Sequence, residues 1–361
     1  MTFEIQRCKI SLRRAQCVLR RSLARRSAEH AITKVDTRQV ANFKHEIRAF
    51  IVARNESLRL PYILQYYTSL GVDRIFVIDN NSSDDTSEIV LSCQNTHLFF
   101  TNDHFSLGKS YWIDYLLRRY GLDHWCVIID VDETLVFPFY ETFTIRELCD
   151  FLEEEYTNAM GCVLLDMYPQ TPLNQVKYQS GSDPLLTAPW FDANSYTQRN
   201  PGPLYIAEHN IIHDGPAQSY GGMRKRVFGI DPCVSKFPLV KYKKSMFLST
   251  GLHWIEGARV SGIRGALLHF KFLDDFVENV KAAAVEGQYW NNSSEYKAYL
   301  SVIRKNPDLI LHSPASVKFR GSQQLIALGI MEASSRFGHY ATTISPPASL
   351  TPTLGGPTKP D

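Results

Sequence analysis

The chain has 361 residues, of which 44% are hydrophobic and 21% are charged, and its net charge is +2. This composition is typical of a globular protein and excludes a collagen-like chain, a mainly disordered chain and a small disulfide scaffold. The near-neutral charge argues against a surface built throughout for nucleic acid. The 7 cysteines contain no Cys-x-x-Cys pair, so we interpret them as reduced thiols. The length allows about two domains, or one large domain with tails.

The first 26 residues are strongly basic, with eight Lys or Arg and a single acid, Glu4. Their apolar residues recur at helical spacing, at Ile5, Cys8, Leu12, Ala15, Leu19 and Leu23. This pattern predicts a basic amphipathic helix. Such a helix suits an anionic membrane surface or a docking face on the rest of the protein, and a transit peptide is a third, less favoured interpretation.

Apolar strands then alternate with helical patterns. Strands are predicted at 45–53, 74–79, 97–101, 125–131 and 160–166, and helices at 56–69, 84–92, 108–120 and 144–156. Such alternation predicts an α/β fold, an open and mostly parallel twisted sheet with helices on both faces.

The second half is less regular. Residues 169–222 are rich in Pro, Gly, Asn and Tyr and are predicted to form long loops. Strand-like segments return at 224–228, 239–242 and 265–270, before helices at 273–286 and 293–304. From about residue 335 the Thr, Ser, Pro and Gly content predicts disorder. We therefore divide the chain into a basic segment (1–40), a central domain (41–310, with halves 41–168 and 169–310) and a C-terminal segment (311–361).

Polar clusters follow three of the predicted strands. They begin at Arg54, at Asp79 and at Asp130. In open α/β sheets, ligands bind beyond the carboxyl ends of the strands. Ser83 or Asp84 can serve as a helix cap, but Asp79 lies before that cap. Three polar clusters at one edge of the sheet therefore predict a binding site.

Asp130 and Asp132 form the sharpest of these patterns. Alternation along a strand points both carboxylates to the same side, where their repulsion favours a cation between them. Oxygen ligands select Mg²⁺ or Mn²⁺, which then bridge substrate phosphates. A purely structural role for the two aspartates is the alternative.

The order of these segments resembles family 2 glycosyltransferases of the GT-A fold and the related family 92-like enzymes. The similar stretch runs from about residue 46 to 290 and contains ARNE followed by YILQYYxxLGVDR, then IDNNSSDDT, Gly108-Lys109 and IIDVDE. The resemblance implies a hexosyltransferase-type enzyme that moves a sugar from a nucleotide-diphosphate donor, with a UDP-sugar favoured, to a hydroxyl of a glycan or glycolipid. It implies inversion at the anomeric carbon, and it makes 41–310 the transferase domain, with a nucleotide-sugar half and a half that completes the acceptor and metal sites.

The resemblance also implies roles for single residues. The donor-binding set is Arg54, Asn55, Glu56, Asp79, Asn80, Ser82, Asp84, Lys109 and Arg224. Within it, Asp79 and Asn80 contact the base or ribose. Asp130 and Asp132 hold the Mn²⁺ or Mg²⁺ ion, and the segment LLHFKFLDDF makes His269 the third ligand, with His253 as a second choice.

Arg224 is also a candidate on its own chemistry, because it follows Gly221-Gly222 and a glycine turn permits close approach to a diphosphate. A solvated basic turn is the alternative. Inversion needs one carboxylate base on the acceptor side. Asp166, at a predicted strand end, is the first candidate for this catalytic base, with Glu208 and Asp214 as alternatives.

Two other functions compete with the transferase. The segment VIIDVDETLV also fits the haloacid-dehalogenase phosphatase signature, with Asp130 as nucleophile and Asp132 as general acid. That motif normally follows the first strand of its domain, and it leaves ARNE and IDNNSSDDT unexplained. The second alternative is a non-catalytic carbohydrate-binding protein, against which the intact Asp130 and Asp132 argue.

The location is predicted from what the sequence lacks. No apolar run reaches the roughly 18 residues of a membrane span, and arginines interrupt the N-terminal apolar residues of a would-be secretion signal. We therefore predict a cytoplasmic enzyme, peripheral at the inner face of the membrane, which contributes to surface polysaccharide or glycolipid synthesis. Nucleic acid is not expected as a partner.

Overall fold

The computed structural model describes residues 2–194, 196–200, 217–249 and 252–344, with backbone alone for 2–14, 106, 107, 290, 342 and 344. Its centre is a nine-stranded sheet. In spatial order the strands are β1 (Thr33–Lys34), β4 (Thr96–Phe100), β3 (Arg74–Asp79), β2 (Ile47–Ala53), β5 (Trp125–Asp130), β11 (Ser235–Lys241), β7 (Ala159–Asp166), β14 (Val260–His269) and β6 (Glu133–Val136).

The sheet is mostly parallel. Strands β4, β3, β2 and β5 are parallel neighbours, and β7 is parallel to β14. Strand β11 lies antiparallel between β5 and β7, so these two groups run in the same direction. Six strands thus share one direction, whereas β1, β11 and β6 oppose them. The predicted α/β class with a mostly parallel sheet is confirmed.

Helices cover both faces of the sheet. They are α1 (Thr2–Ala31), α2 (Leu60–Leu70), α3 (Thr86–Ser92), α4 (Phe105–Leu116), α5 (Ile145–Glu154), α6 (Met223–Phe228), α7 (Phe276–Glu286), α8 (Trp290–Lys305), α9 (Ser322–Ala327) and α10 (Ser335–Ile344). The small strands β8 (Trp190–Asp192), β9 (Tyr196–Arg199), β10 (Gln218–Gly221), β12 (Phe247–Leu248), β13 (Ile255–Glu256) and β15 (Ser316–Lys318) form three two-stranded sheets beside it.

Strand β2 shows why both faces must be covered. All seven of its residues are buried. Successive side chains on a strand point to opposite faces. Ala49 and Ile51 accordingly join the core under α2, α3 and α5, whereas Phe50 joins the core under α4. The central strands therefore need no polar face, which explains their continuous apolar runs.

Three element predictions are corrected. Strand β6 was not predicted, because its four residues, ETLV, are too short to show a pattern of their own. The segment 224–228, predicted as a strand, lies in helix α6, which Gly222 (φ 80°) opens and Gly229 (φ 68°) ends in a left-handed cap. The predicted loops at 169–222 contain, where described, strands β8 to β10.

The C-terminal segment is ordered further than its composition predicted. Disorder was expected from about residue 335, but α10 continues to Ile344. Phe337 is fully buried, with its ring centroid 4.8 Å from that of Phe151 and 5.3 Å from that of Phe143. Aromatic packing therefore docks a helix that its composition predicted to be disordered. The rest of the predicted disorder, at 345–361, lies outside the described residues.

Within the described part of the chain, no helix combines the length and the apolar character that crossing a bilayer requires. The predicted N-terminal helix is present as α1, a helix of 30 residues. It packs beside α4, and Arg25 forms an ion pair with Asp114 of that helix at 2.7 Å.

Phe337→Ala should lower the free energy of unfolding by about 3–5 kcal/mol, because it leaves a cavity among Phe143, Phe151 and Phe139. Urea unfolding followed by circular dichroism measures the loss. Val285→Ala, at a side chain that is 86% exposed, is the control and should change stability by no more than about 0.5 kcal/mol. Equal stabilities for the two variants would contradict the docking of α10.

Candidate functional site

The site forms where three strands end. Asp130 closes β5, Asp166 closes β7 and His269 closes β14. In the register of the sheet, His269 pairs with Asp166 on one side and with Glu133 on the other. The carboxyl edge of the sheet, where ligands of α/β proteins bind, therefore brings together five side chains: Asp130, Asp132, Glu133, Asp166 and His269.

His269 lies between two carboxylates. Its Nε2 is 3.1 Å from Asp132 Oδ2, and its Nδ1 is 2.7 Å from Asp166 Oδ1. Burial alone would lower the pKa of this imidazole, but Asp132 and Asp166 outweigh burial and raise the pKa to about 9. His269 is therefore an imidazolium at neutral pH. It in turn holds the pKa of Asp132 well below its usual range, against the opposing effect of burial.

Asp166 is enclosed by cations. Its second oxygen, Oδ2, accepts a hydrogen bond of 2.8 Å from Nε of Arg224. Burial raises the pKa of Asp166, but Arg224 and His269 lower it more. Arg224 also donates to Glu295 of α8 at 3.2 Å, while its buried Nη2 has no hydrogen-bond partner among the described residues. Both oxygens of the predicted catalytic base are thus engaged, and its residue is 3% exposed.

Asp130 has separate partners. Lys109 Nζ is 2.5 Å from Oδ1 of Asp130, and Lys236 Nζ is 3.0 Å from Oδ2. Lys236 also forms an ion pair with Glu133. Burial opposes the ionisation of Asp130, but the two lysines hold its pKa far below its usual range. The predicted pair of aspartates therefore divides its contacts: Asp130 contacts lysines and Asp132 contacts a histidine.

The side chains that are close enough to share a metal ion are Asp132, Glu133 and His269. Their ligand atoms all lie within 4.8 Å of one another, and no other such group occurs in the described residues. The predicted set had Asp130 in the place of Glu133, whereas the structure leaves Asp130 outside the group. Glu133 was missed because β6, which brings it opposite His269, was not predicted. The other histidine candidate, His253, contacts the carbonyl of Ser235.

The predicted donor-binding residues of the first two clusters form hydrogen bonds between their two loops. Asn55 Oδ1 accepts a hydrogen bond from the Ser83 backbone at 2.8 Å, and Ser82 Oγ accepts one from the Asn55 backbone at 2.9 Å. Asp84 accepts a hydrogen bond of 3.0 Å from the Ser57 backbone. These contacts tie the loop after β2 to the loop after β3.

Two further members of that set are deeply buried. Asp79 accepts hydrogen bonds from the Ser82 backbone at 2.9 Å and from the Ser87 hydroxyl. Asn80 donates to the carbonyls of Thr101 and Asp103 at 3.2 and 2.9 Å, and its Oδ1 has no partner among the described residues. Asp79 is thus committed to its own loop, whereas Asn80 retains an unused acceptor.

The ARNE segment faces the C-terminal helices. Arg54 donates to Gln288 at 2.5 Å. Glu56 lies near Arg59, Asp132 and Asp275; burial, Asp275, Asp132 and Asp130 raise its pKa to about 8 against the opposing charge of Arg59.

Sequence reasoning missed a second layer of charges around the site. Arg59 binds both oxygens of Asp275 at 2.6 Å, and Lys271 lies 3.7 Å from Glu295. Burial opposes the ionisation of Glu295, but Lys271 and Arg224 lower its pKa to about 2. Only ARNExxR offered a local signal, at Arg59. The remaining contacts join residues more than 20 positions apart, and periodicity does not predict such contacts.

Some of the other predictions concern the long loops, whose aromatic residues either stack on acceptor sugar rings or pack the loop: Tyr168, Trp190, Tyr196, Tyr205 and Tyr220. Glu208, Asp214 and Tyr205 lie outside the described residues. Of these aromatic residues, Tyr168 is fully buried; its hydroxyl donates to Asp192 and accepts a hydrogen bond from Ser316. Tyr168 therefore packs the loop.

No protein-family model matches the chain. In sequence, it is similar to a glycosyltransferase family 92 protein of Ricinus communis, with 30% identity over 97 residues, or 26% of this chain. The resemblance to family 92 that the motifs indicated is thereby confirmed. The chain spans only 18% of that relative's length, so the relative's activity is not established for this chain.

Solved structures offer weaker likenesses. Glucosyl-3-phosphoglycerate synthase from Mycobacterium tuberculosis, in complex with Mn²⁺, UDP and glucosyl-3-phosphoglycerate, is 19% identical with a TM-score of 0.24 over 34% of this chain and 44% of that chain. A 4-diphosphocytidyl-2C-methyl-D-erythritol synthase is 14% identical with a TM-score of 0.25 over 39% of this chain and 65% of that chain. Scores this low carry no conclusion about the present chain.

The imidazolium of His269 should make stability depend on pH. Because its pKa is raised from 6.5 to about 9, its contribution is complete below about pH 6.5 and is lost as the pH rises through 9. Without added metal, the free energy of unfolding of the wild type should fall over this window by about 2 kcal/mol more than that of His269→Gln. Urea unfolding at several pH values measures both slopes, and parallel slopes would contradict the charged His269.

Proposed function

We propose that the protein is a metal-assisted glycosyltransferase, which moves a sugar from a nucleotide-diphosphate sugar to an acceptor hydroxyl. The observation that carries this proposal is the group of Asp132, Glu133 and His269 at the carboxyl edge of the sheet, with Lys109, Lys236 and Arg224 close by. A site with only carboxylates binds a metal cation, and a site with only Lys and Arg side chains binds a phosphate. A mixture of both suits a metal–diphosphate complex.

The donor atoms of the group fit Mn²⁺ or Mg²⁺, since two carboxylates and one imidazole are ligands that such ions accept. The side chain of Asp132 is 20% exposed, so the group is open to solvent on one side. A divalent ion held there would neutralise the negative charge that develops on the leaving diphosphate. Asp132, His269 and Glu133 are the residues that we assign to it.

The lysines around Asp130 have a different task. They hold the Asp130 carboxylate in its ionised form, which accepts hydrogen bonds only. We assign Asp130 to a hydroxyl of the donor, with Lys109 held beside it for the diphosphate. The polar loops after β2 and β3, with the free Oδ1 of Asn80, complete the donor side.

The contacts of Asp166 favour a positioning role over that of the catalytic base. A general base needs an oxygen that reaches the acceptor hydroxyl. Asp166 instead accepts from His269 and Arg224, and these partners lower its pKa. We infer that Asp166 fixes the orientation of the His269 ring, as carboxylates behind ligand histidines do. Inversion at the anomeric carbon remains a prediction from the family resemblance.

The site also supports the proposed division of the central domain. Asp130 and Asp132 come from the half 41–168, whereas Arg224 and His269 come from the half 169–310. A UDP-sugar donor, a glycan or glycolipid acceptor, a role in surface polysaccharide or glycolipid synthesis and a cytoplasmic location are parts of the same proposal. They rest on the family resemblance.

Asp132→Asn should weaken the binding of UDP in the presence of Mn²⁺ by at least about tenfold, because it removes a charged ligand and the partner of His269. Isothermal calorimetry with UDP, GDP and UDP-sugars, with and without Mn²⁺, measures this and defines the donor nucleotide. Asp150→Asn, at an exposed carboxylate, is the matched control and should bind like the wild type. Metal-independent binding, equal in both variants, would reject the assignment.

The phosphatase alternative makes an opposite prediction. It requires Asp132 to be a general acid, yet His269 holds the pKa of Asp132 well below its usual range, so this carboxyl has no proton to donate at neutral pH. Hydrolysis of a generic phosphate ester that depends on Asp130, without nucleotide binding, would favour that alternative over the transferase.

Asp166→Asn separates the two roles of that residue. If Asp166 positions His269, the affinity for Mn²⁺ should fall by about 10–100-fold, as it does for partners of ligand histidines. A catalytic base would instead leave the Mn²⁺ affinity unchanged while turnover falls by about 10²–10⁴-fold. Calorimetry with Mn²⁺ and a UDP-release assay on the same preparations distinguish these results.

A further inference from the structure

Helix α1 docks on the body with the face opposite its apolar stripe. Cys17 and Ala28 are buried against the body, and Arg21 lies on the same face. Leu19 and Leu23, which belong to the stripe, lie on the other side of the helix and are 60% and 57% exposed. With 3.6 residues per turn, positions 17, 21 and 28 share a face that 19 and 23 cannot join.

Charged side chains contribute to the docking of α1. Arg21 forms an ion pair with Glu256 at 2.6 Å, and its guanidinium lies 3.6 Å from the centroid of the Phe247 ring. Arg25 binds Asp114. The body therefore does not explain the exposed leucines, which cost solubility unless another apolar phase covers them.

A basic groove runs along one side of the exposed stripe. It has a volume of about 760 Å³ and lies between α1 and the end of α4. Its lining contains one acid, Glu29, and five arginines: Arg21, Arg25, Arg26, Arg118 and Arg119. Arg21 is paired with Glu256, whereas Arg25 and Arg118 share Asp114, at 2.7 and 3.0 Å. Arg26 and Arg119 therefore remain as basic side chains beside Glu29 that form no ion pair in the described residues.

The whole of α1 carries the same imbalance. It holds eight Lys or Arg against two acids, Glu4 and Glu29. In the described part of the chain, neither Arg20 nor Arg26 forms an ion pair, and both are exposed. An occupant of this surface must therefore be anionic, and it must also accept Val18, which is 57% exposed, together with the two leucines.

We propose that α1 is an interfacial helix that seats the protein on an anionic phospholipid bilayer. A bilayer offers a negative surface above an apolar layer, which matches arginines beside leucines; nucleic acid offers no apolar layer. Leu19, Leu23 and Val18 enter the acyl boundary, while Arg26 and Arg119 contact lipid phosphates. This binding does not require transferase activity, so it is tested independently of the proposed function.

The test is sedimentation of the full chain with phosphatidylcholine vesicles, with and without phosphatidylserine. The wild type should bind only the anionic vesicles, and binding should weaken as salt is added. Leu19→Glu/Leu23→Glu should bind at least about tenfold more weakly, because it places carboxylates at the acyl boundary. The control, Leu186→Glu/Val285→Glu, changes two side chains that are 80% and 86% exposed elsewhere and should bind like the wild type.

Other outcomes overturn the proposal. Absence of binding to anionic vesicles excludes the bilayer and turns attention to a protein partner. Binding that survives Leu19→Glu/Leu23→Glu means that arginines adsorb to the surface without insertion of α1. Equal losses in both double variants mean a general effect of added negative charge. Circular dichroism of each variant verifies that the fold is retained.

Discussion

The imidazolium of His269, held between Asp132 and Asp166, is the interaction on which the site depends. It joins the ends of β5, β7 and β14 at one point. Without that positive charge, the carboxylates of Asp132 and Asp166 would repel each other, which would raise the pKa of both. With it, all three groups remain charged at neutral pH.

In the proposed function, the same interaction would couple metal binding to the charge of His269. A histidine binds a metal through a neutral ring nitrogen, so occupation of the site by a cation is coupled to loss of the proton from His269. Asp166 and Arg224 behind the ring then determine its orientation. The charged residues at this edge of the sheet thus form a series that runs inward from Asp132, which is nearest to solvent, to the buried Arg224.

The strand-end rule accounts for the part of the site that the sequence could predict. Asp130, Asp166 and His269 each close a strand whose apolar run is readable, so their meeting at one edge followed from the topology. Glu133 and Lys236 were missed for a common reason. They lie on β6 and β11, which run antiparallel to the six strands that share one direction. The sequence of a short or irregular strand does not indicate which strands it pairs with. Arg59 and Asp275 pair across 216 positions, which no local pattern reveals.

Helices α1 and α10, near the two ends of the chain, show which structural features a sequence pattern does not predict. In α1, helical periodicity predicted the helix correctly, but the face that docks combines Cys17 and Ala28 with the ion pair of Arg21, and Leu19 and Leu23 of the apolar stripe are exposed. In α10, low apolar content predicted disorder, yet the Phe337 ring packs against the rings of Phe143 and Phe151. Periodicity reports which residues share a face, whereas the partner of that face depends on the tertiary structure.

The central claim is that a divalent metal and a nucleotide meet at Asp132 and His269. Electron spin-echo spectroscopy of Mn²⁺ bound to the protein with UDP tests this claim directly, because it detects a nitrogen ligand of the ion. We expect nitrogen modulation in the wild type, and we expect it to disappear in His269→Gln and to remain in a variant of the remote histidine, His124→Gln. A nucleotide-bound Mn²⁺ signal without nitrogen modulation in the wild type would contradict the account.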